Sequence, residues 1–311
     1  MCEDAELGLR LMQQDLRTIY VDQVMGEGLT PDSFADFKKQ RQRWAQGGMQ
    51  IFKAHWRVLL LNRAAGTGTS TGTGTAPRRD WLRRAQRYHF LAGWLPWVGD
   101  ALHLVFVIAA LAWTAAVLAW PAVFSLPIAL CMLPLAVFCA VKLVIGPLLY
   151  WRRVPCTAGG IAGAAVAGMA LSHAIARGVL AGLTQRHGVF NITAKGGPAA
   201  GVRAPPLMPL PESFNRRPAP GAAARAGHWL KAALAPVREE LLLLSGLLTA
   251  VLATGVSRDG AQIESALWMT MLTLQALPYF AALICALAAS LPETVGHRPA
   301  GATQLDAVVS R

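Results

Sequence analysis

Three short stretches carry residue types able to do chemistry. The first is Glu3-Asp4, within CEDAELGLRL. A carboxylate at a helix start is placed to act as a general base toward a hydroxyl, although a solvated helix-start acid fits the same pattern. The second is Gln40-Arg41-Gln42-Arg43-Trp44, a Q-x-x-R-W pattern. On a helix Gln40 and Arg43 share a face. Arginine offers a planar fork for phosphate oxygens, and glutamine adds a neutral donor. Trp44 supplies a flat apolar face of the kind that stacks on a sugar ring. The alternative is an interfacial helix with snorkelling arginine and anchoring tryptophan. The third stretch is Phe190-Asn191-Ile192-Thr193-Ala194-Lys195-Gly196-Gly197. Thr193 and Lys195 suit a diphosphate, and the glycines would let such a loop move; a plain juxtamembrane loop is the competing reading.

The elements that must position these groups follow from the local pattern. Acidic residues at 3, 4 and 6 favour a helix start, and leucines continue a helical period to about Leu16. Thr18 to Val24 predicts a short strand, and Gly26 and Gly28 a turn. Thr30-Pro31 predicts the start of a second helix, basic, aromatic and amphipathic, running to about Leu61. That character suits a helix lying in a membrane interface. Residues 66–75, GTGTSTGTGT, read as a flexible linker.

The rest of the chain reads as membrane. Hydrophobic residues make up 54% and charged residues 15%, and mean hydropathy is +0.39, too apolar for an ordinary soluble domain. The net charge of +12 sits in loops flanking apolar runs. That distribution signals topology and attraction to anionic headgroups. Nucleic-acid binding is excluded, because no basic stripe with interleaved aromatics occurs. None of the five cysteines forms a CxxC pair, so neither a disulfide framework nor a zinc site is expected. No signal peptide is recognisable in the polar N-terminal stretch.

Arginines from Arg78 to Arg87 followed by Trp94 and Trp97 mark a cytoplasmic boundary. Apolar runs to Trp120 and from Val123 to Tyr150 are long enough to cross a bilayer, as are runs at 239–256 and 264–290. Residues 157–183 are also apolar, but basic residues flank them on both sides. One interfacial or re-entrant helix is therefore expected there, with His173 and Arg177 on one face. Lys142 either snorkels toward the cytoplasmic end of its span, the favoured reading, or faces a polymer channel, and Asp100 and His103 are expected to be boundary residues. Four spans result, with both termini cytoplasmic.

The order of Glu-Asp, Q-x-x-R-W, spans and F-x-x-T-x-K-G resembles the processive family 2 glycosyltransferases, the group that includes bacterial cellulose synthase. The resemblance covers residues 3 to about 290. It implies that Asp4, with Glu3 beside it, is the catalytic base for the acceptor hydroxyl. Gln40 and Arg43 would bind the nucleotide diphosphate, and Trp44 would stack on the terminal sugar of the polymer. Phe190, Ile192, Thr193 and Lys195 would belong to a gating loop over the nucleotide. The implied reaction is inverting transfer from a nucleotide-sugar donor, UDP-glucose by preference, to a polysaccharide acceptor that leaves through the spans of a bacterial inner membrane. Wording such as HFLAGWLPWVGDALHLVF is more similar to 1,3-linked β-glucan synthases than to cellulose synthases.

The departures are informative. Cys2 stands where the family has threonine, and Ile192 where valine is commoner. The family's α/β half, with a D-x-D motif for Mg2+ or Mn2+, has no counterpart here; no D-x-D occurs in the sequence, so no metal ligand is assigned in this chain. The expected fold is mainly α and membrane-integral: the end of a GT-A type α/β domain (1–63), a linker and basic boundary (64–90), two spans (91–156), an interfacial helix and gating-type loop (157–197), a Pro/Ala-rich loop (198–237), two spans (238–290) and a disordered tail (291–311). The chain is expected to be a C-terminal part whose front half is missing, and inactive by itself. A membrane subunit or channel-like remnant without catalysis is the main alternative, and a non-processive lipid-linked transferase the second.

Overall fold

The structure is a computed structural model. It describes residues 2–14, 16, 18–19, 21, 23, 31, 33–62, 82–185, 230–257 and 262–291. Among these residues every regular element is helical: α1 (Glu3–Gln13), α2 (Phe34–Trp56), α3 (Arg84–Ala119), α4 (Ile128–Arg153), α5 (Ala158–Ala170), α6 (Ser172–Thr184), α7 (Leu230–Ser257) and α8 (Ile263–Ser290). The strand expected at 18–24 is not seen; Thr18, Ile19, Val21 and Gln23, its described members, have no strand pairing.

Helix α1 begins on its acids, with Glu3, Asp4 and Glu6 in the first turn and Arg10 in the last. Both ends thus complement the helix dipole. Helix α2 starts later than Thr30-Pro31 suggested. Ser33 caps it, its Oγ accepting from the Asp36 N–H at 3.1 Å and donating to Asp36 Oδ2 at 2.6 Å. A reciprocal serine–acid cap satisfies an orphan helical N–H, which proline cannot do. At its far end α2 widens into a π turn, Arg57–Leu61, closed by Asn62 in the left-handed region. Arg87 donates to the carbonyls of Leu59 (2.7 Å) and Leu60, and the Leu82 N–H donates to Asn62 Oδ1 at 2.9 Å. Arg87, read from sequence as a topology charge, therefore also caps the open carbonyls of α2. The residues flanking the glycine–threonine linker meet, while the linker itself lies outside the described residues.

Among the described residues four helices are long and apolar enough to cross a membrane: α3, α4, α7 and α8. Interior prolines at Pro96, Pro134 and Pro278 are tolerated in such helices because neighbours re-satisfy the backbone. Helices α3, α4, α7 and α8 share an apolar core around Val107, Leu247, Trp268 and Leu272. Within it Trp268 donates to Thr114 Oγ1 at 3.0 Å, tying α8 to α3.

The single helix expected at 157–183 is two helices, bent by 42° at Leu171. If the bent pair is one broken span, the chain has five. The bend has a packing reason. α5 follows α8, whereas α6 turns away to lie along α2 and α3. Gly178 and Gly182 let the backbones of α6 and α2 approach closely, since a Cβ at either would collide with a carbonyl oxygen of α2. This is the small-xxx-small device of tightly packed helices.

Candidate functional site

Helix α2 carries Gln40, Arg43 and Trp44 and is gripped on several sides. Its Ala45 and Met49 share a core with Leu9 of α1 and Ile175 and Val179 of α6. The rings of Trp94 and Trp97 on α3 lie over Gly48. Lys38 donates to the Pro236 carbonyl at 2.7 Å and pairs with buried Glu240, both on α7. The Q-x-x-R-W stretch is thereby fixed to the membrane helices, as a site that must hold a diphosphate in one geometry requires.

The first motif docks onto the second. Cys2 Sγ lies 3.4 Å from the Trp44 carbonyl oxygen, which accepts from it. Burial raises the Cys2 thiol above its ordinary value, the Asp4 and Glu3 carboxylates push in the same direction, and Arg43 opposes them. Asp4 is exposed, and one of its oxygens accepts from the Ala5 N–H at 2.8 Å. Further along α1, Glu6 meets His55 of α2 at 3.1 Å and Arg10 at 2.8 Å. Burial works to raise the Glu6 carboxyl, but the hydrogen bonds from His55 and Arg10 outweigh it and hold Glu6 below its ordinary value. A groove of about 320 Å³ runs between the helices, lined by Cys2, Glu3, Glu6, Gly47, Gln50 and Ile51.

Gln40 is buried, while Trp44 is 36% exposed. The Arg41 guanidinium stacks 4.6 Å from the Trp44 ring and 5.0 Å from Phe37. Such cation–π contacts hold an aromatic plane in place. Arg41, read from sequence only as part of the pattern, therefore orients the tryptophan.

Phe190, Ile192, Thr193 and Lys195 lie outside the described residues. The point where their segment departs is described. Gln46 of α2 donates to Gln185 Oε1 at 3.0 Å, and Lys53 donates to the carbonyls of Leu183 (3.0 Å) and Gln185 (2.7 Å). Gln185, the last described residue of this stretch, is therefore fastened to α2.

Two expectations about membrane charges are corrected. Lys142 does not snorkel, and Asp100 and His103 are not boundary residues. Lys142 Nζ lies 2.7 Å from Asp100 Oδ1; Asp100 is buried and Lys142 largely covered. A lysine beside a buried carboxylate gains more from pairing than from reaching toward water. His103 is also buried, stacked on Phe138 at 3.9 Å between centroids, with Tyr279 at 6.2 Å. Gln275 on α8 is wholly buried, and among the described residues neither of its amide atoms has a hydrogen-bond partner. The apolar helices thus enclose a polar interior. The charges of Asp100 and Lys142 were legible in sequence; their partnership was not, because it joins two separate spans.

Among the described residues no group of three or more His, Cys, Asp or Glu side chains is arranged to hold a metal ion. They offer no seat for the divalent cation that the resemblance implies.

Residues 1–152 match the model of the family described as Glycosyl transferase family group 2. The match spans α1 to α4, just under half of the chain, and supports a family 2 glycosyltransferase. No curated protein and no solved structure matches the chain.

Proposed function

We propose that this chain is the membrane-embedded part of an inverting, processive family 2 glycosyltransferase. It transfers glucose from UDP-glucose to a growing β-glucan and passes the polymer through its spans. The observation that supports this reading is the docking of α1 on α2, in which Cys2, the residue before Glu3-Asp4, lies against the Trp44 carbonyl. Acid, phosphate-binding arginine and sugar platform are the parts that glycosyl transfer needs at one point.

In this reading Trp44 stacks on the terminal acceptor sugar. Asp4 takes the proton of its hydroxyl as that oxygen attacks the anomeric carbon of the donor. The bond from that carbon to the diphosphate oxygen breaks on the opposite face, which inverts the centre. Gln40 and Arg43 hold the departing diphosphate. The divalent cation of the family would add charge stabilisation there, held by D-x-D residues that this sequence does not contain. The resemblance gives Phe190, Ile192, Thr193 and Lys195 the role of closing over the nucleotide. The polar interior around Asp100, Lys142, His103 and Gln275 gives hydroxyl-rich material a path between apolar helices. The setting would be a bacterial inner membrane with both termini cytoplasmic.

The missing D-x-D favours one second reading, a membrane subunit that no longer catalyses. The two separate in membranes bearing this chain joined to a D-x-D half, assayed for glucose incorporation from labelled UDP-glucose. Asp4→Asn should lower incorporation by about 10²–10⁴-fold, and Trp44→Ala should abolish polymer extension. Unchanged synthesis in both variants would leave only the subunit reading. The 311-residue chain alone should transfer no sugar, and measurable transfer by it would overturn the need for the missing half.

A further inference from the structure

Away from the groove beside α1, a second concavity of about 260 Å³ opens where α2, α6 and the start of α7 meet. Four fixed cations line it, Lys38, Lys39, Arg177 and Arg238, against two carboxylates, Glu239 and Glu240. The carboxylates already occupy cation partners. Glu240 pairs with Lys38. Glu239 is gripped by Arg177, which donates to both its oxygens at 2.7 Å, and by His173 at 3.0 Å. His173 is nine-tenths buried and anchors the grip, while Arg177 and Glu239 are partly exposed and open to the groove. Arg238 has no ion partner among the described residues, and Lys39, whose side chain is 70% exposed, reaches only Asp36.

An arginine fork with a flanking imidazole and two further cations is the chemistry that binds a phosphate. Its level in the fold matters as well. Arg238, Glu239 and Glu240 are followed by an uncharged run from Leu241 to Ser257. The concavity therefore lies at the polar edge of a candidate span, where headgroups sit.

We propose that this groove binds an anionic phosphate group, carried by a phospholipid headgroup or free in solution, and that the Glu239 carboxylate competes with it for Arg177 and His173. The site is separate from the face of α2 that carries Trp44 and does not depend on the transfer reading.

The test uses the full chain in detergent micelles, with its thermal midpoint followed during titration. The probes are short-chain phosphatidylglycerol, short-chain phosphatidylcholine and inorganic phosphate. A rise with phosphatidylglycerol but not phosphatidylcholine assigns a headgroup; a rise with inorganic phosphate alone assigns the free ion; either supports the site. The double variant Lys39→Gln/Arg238→Gln, which leaves the Lys38–Glu240 and Arg177–Glu239 pairs intact, should weaken the apparent affinity about 30-fold. Glu239→Gln should tighten it about 5-fold, since one competing charge is removed. Equal responses to the two lipids with none to phosphate, no response to any probe, or no change in the double variant would overturn the proposal. Weaker binding in Glu239→Gln would overturn the competition.

Discussion

The closest approach in the molecule, between α2 and α6, makes a sharp prediction. A Cβ added at Gly178 would lie 2.3 Å from the Gln42 carbonyl oxygen and 3.0 Å from Ala45 Cβ. At Gly182 it would lie 2.5 Å from the Gln46 carbonyl oxygen and 2.6 Å from Met49 Cβ. Carbon–oxygen contacts settle near ~3.3 Å, so the helices must part by about 1 Å. The nearest obstacle in each case is backbone, so no rotamer change relieves the clash. Overpacking of this kind costs about 1–3 kcal/mol. Gly163 on α5 provides the control, because nothing lies within 4 Å of its added Cβ. Gly163→Ala should gain about 1 kcal/mol from helix propensity alone. That propensity gain is common to both helical positions, so Gly178→Ala and Gly163→Ala should differ by about 1–3 kcal/mol, the overpacking cost. Unfolding in mixed micelles by SDS titration, followed by tryptophan fluorescence, measures that difference. Equal stability of Gly178→Ala and Gly163→Ala would refute the close approach, and with it the account of why the 157–183 segment bends.

Two more predictions address stability. Lys142→Met should cost about 3–5 kcal/mol by stranding the Asp100 charge, whereas Asp100→Leu/Lys142→Met should recover most of the loss; a double variant no better than the single one would show that the pair is not the cause. Glu6 makes the docking of α1 acid-sensitive. Its folded value lies below its ordinary one, so the stabilisation is fully present above the ordinary value of about 4.3 and fades as pH falls through the lower, folded value. Hydrogen exchange of α1 amides should accordingly lose protection as pH falls below about 4.3 in the wild type, and this acid-dependent loss should be smaller in Glu6→Gln.

Which features the sequence disclosed depends on how far apart their causes lie. The helices α1 and α2, and the four long apolar ones, were legible because each is written in local periodicity and apolar run length. The Q-x-x-R-W face was legible for the same reason, since Gln40 and Arg43 sit one turn apart. The start of α2 was misjudged because proline and serine compete as start signals, and the winner was decided by whether a side chain accepts an N–H. The bend at Leu171 was invisible because its cause is a pair of different neighbours, α8 for one half and α2 for the other. The role of Glu239 was missed for the same physical reason. His173 and Arg177 were placed on one face, but their acid lies in another helix, across a stretch with no readable pattern. Lys142 was misplaced because snorkelling is the right expectation for a lone span, and it fails once a neighbouring span supplies a carboxylate.

The arrangement ties the Q-x-x-R-W stretch of α2 to the start of α7 and to α6. Lys38, two residues before Gln40, is held by Glu240 and the Pro236 carbonyl of α7. Glu239, the next residue along α7, holds α6 through His173 and Arg177. α6 in turn lies flush on α2 and ends at Gln185, which Gln46 and Lys53 fasten back to α2. A movement at the start of α7 therefore reaches α2 by two routes that converge within two turns of Arg43. Close-packed interfaces switch between discrete arrangements rather than deform continuously. An anion that took Arg177 from Glu239 would loosen one route and leave the other in place, so α6 and the segment after Gln185 should respond before Gln40 and Trp44 do.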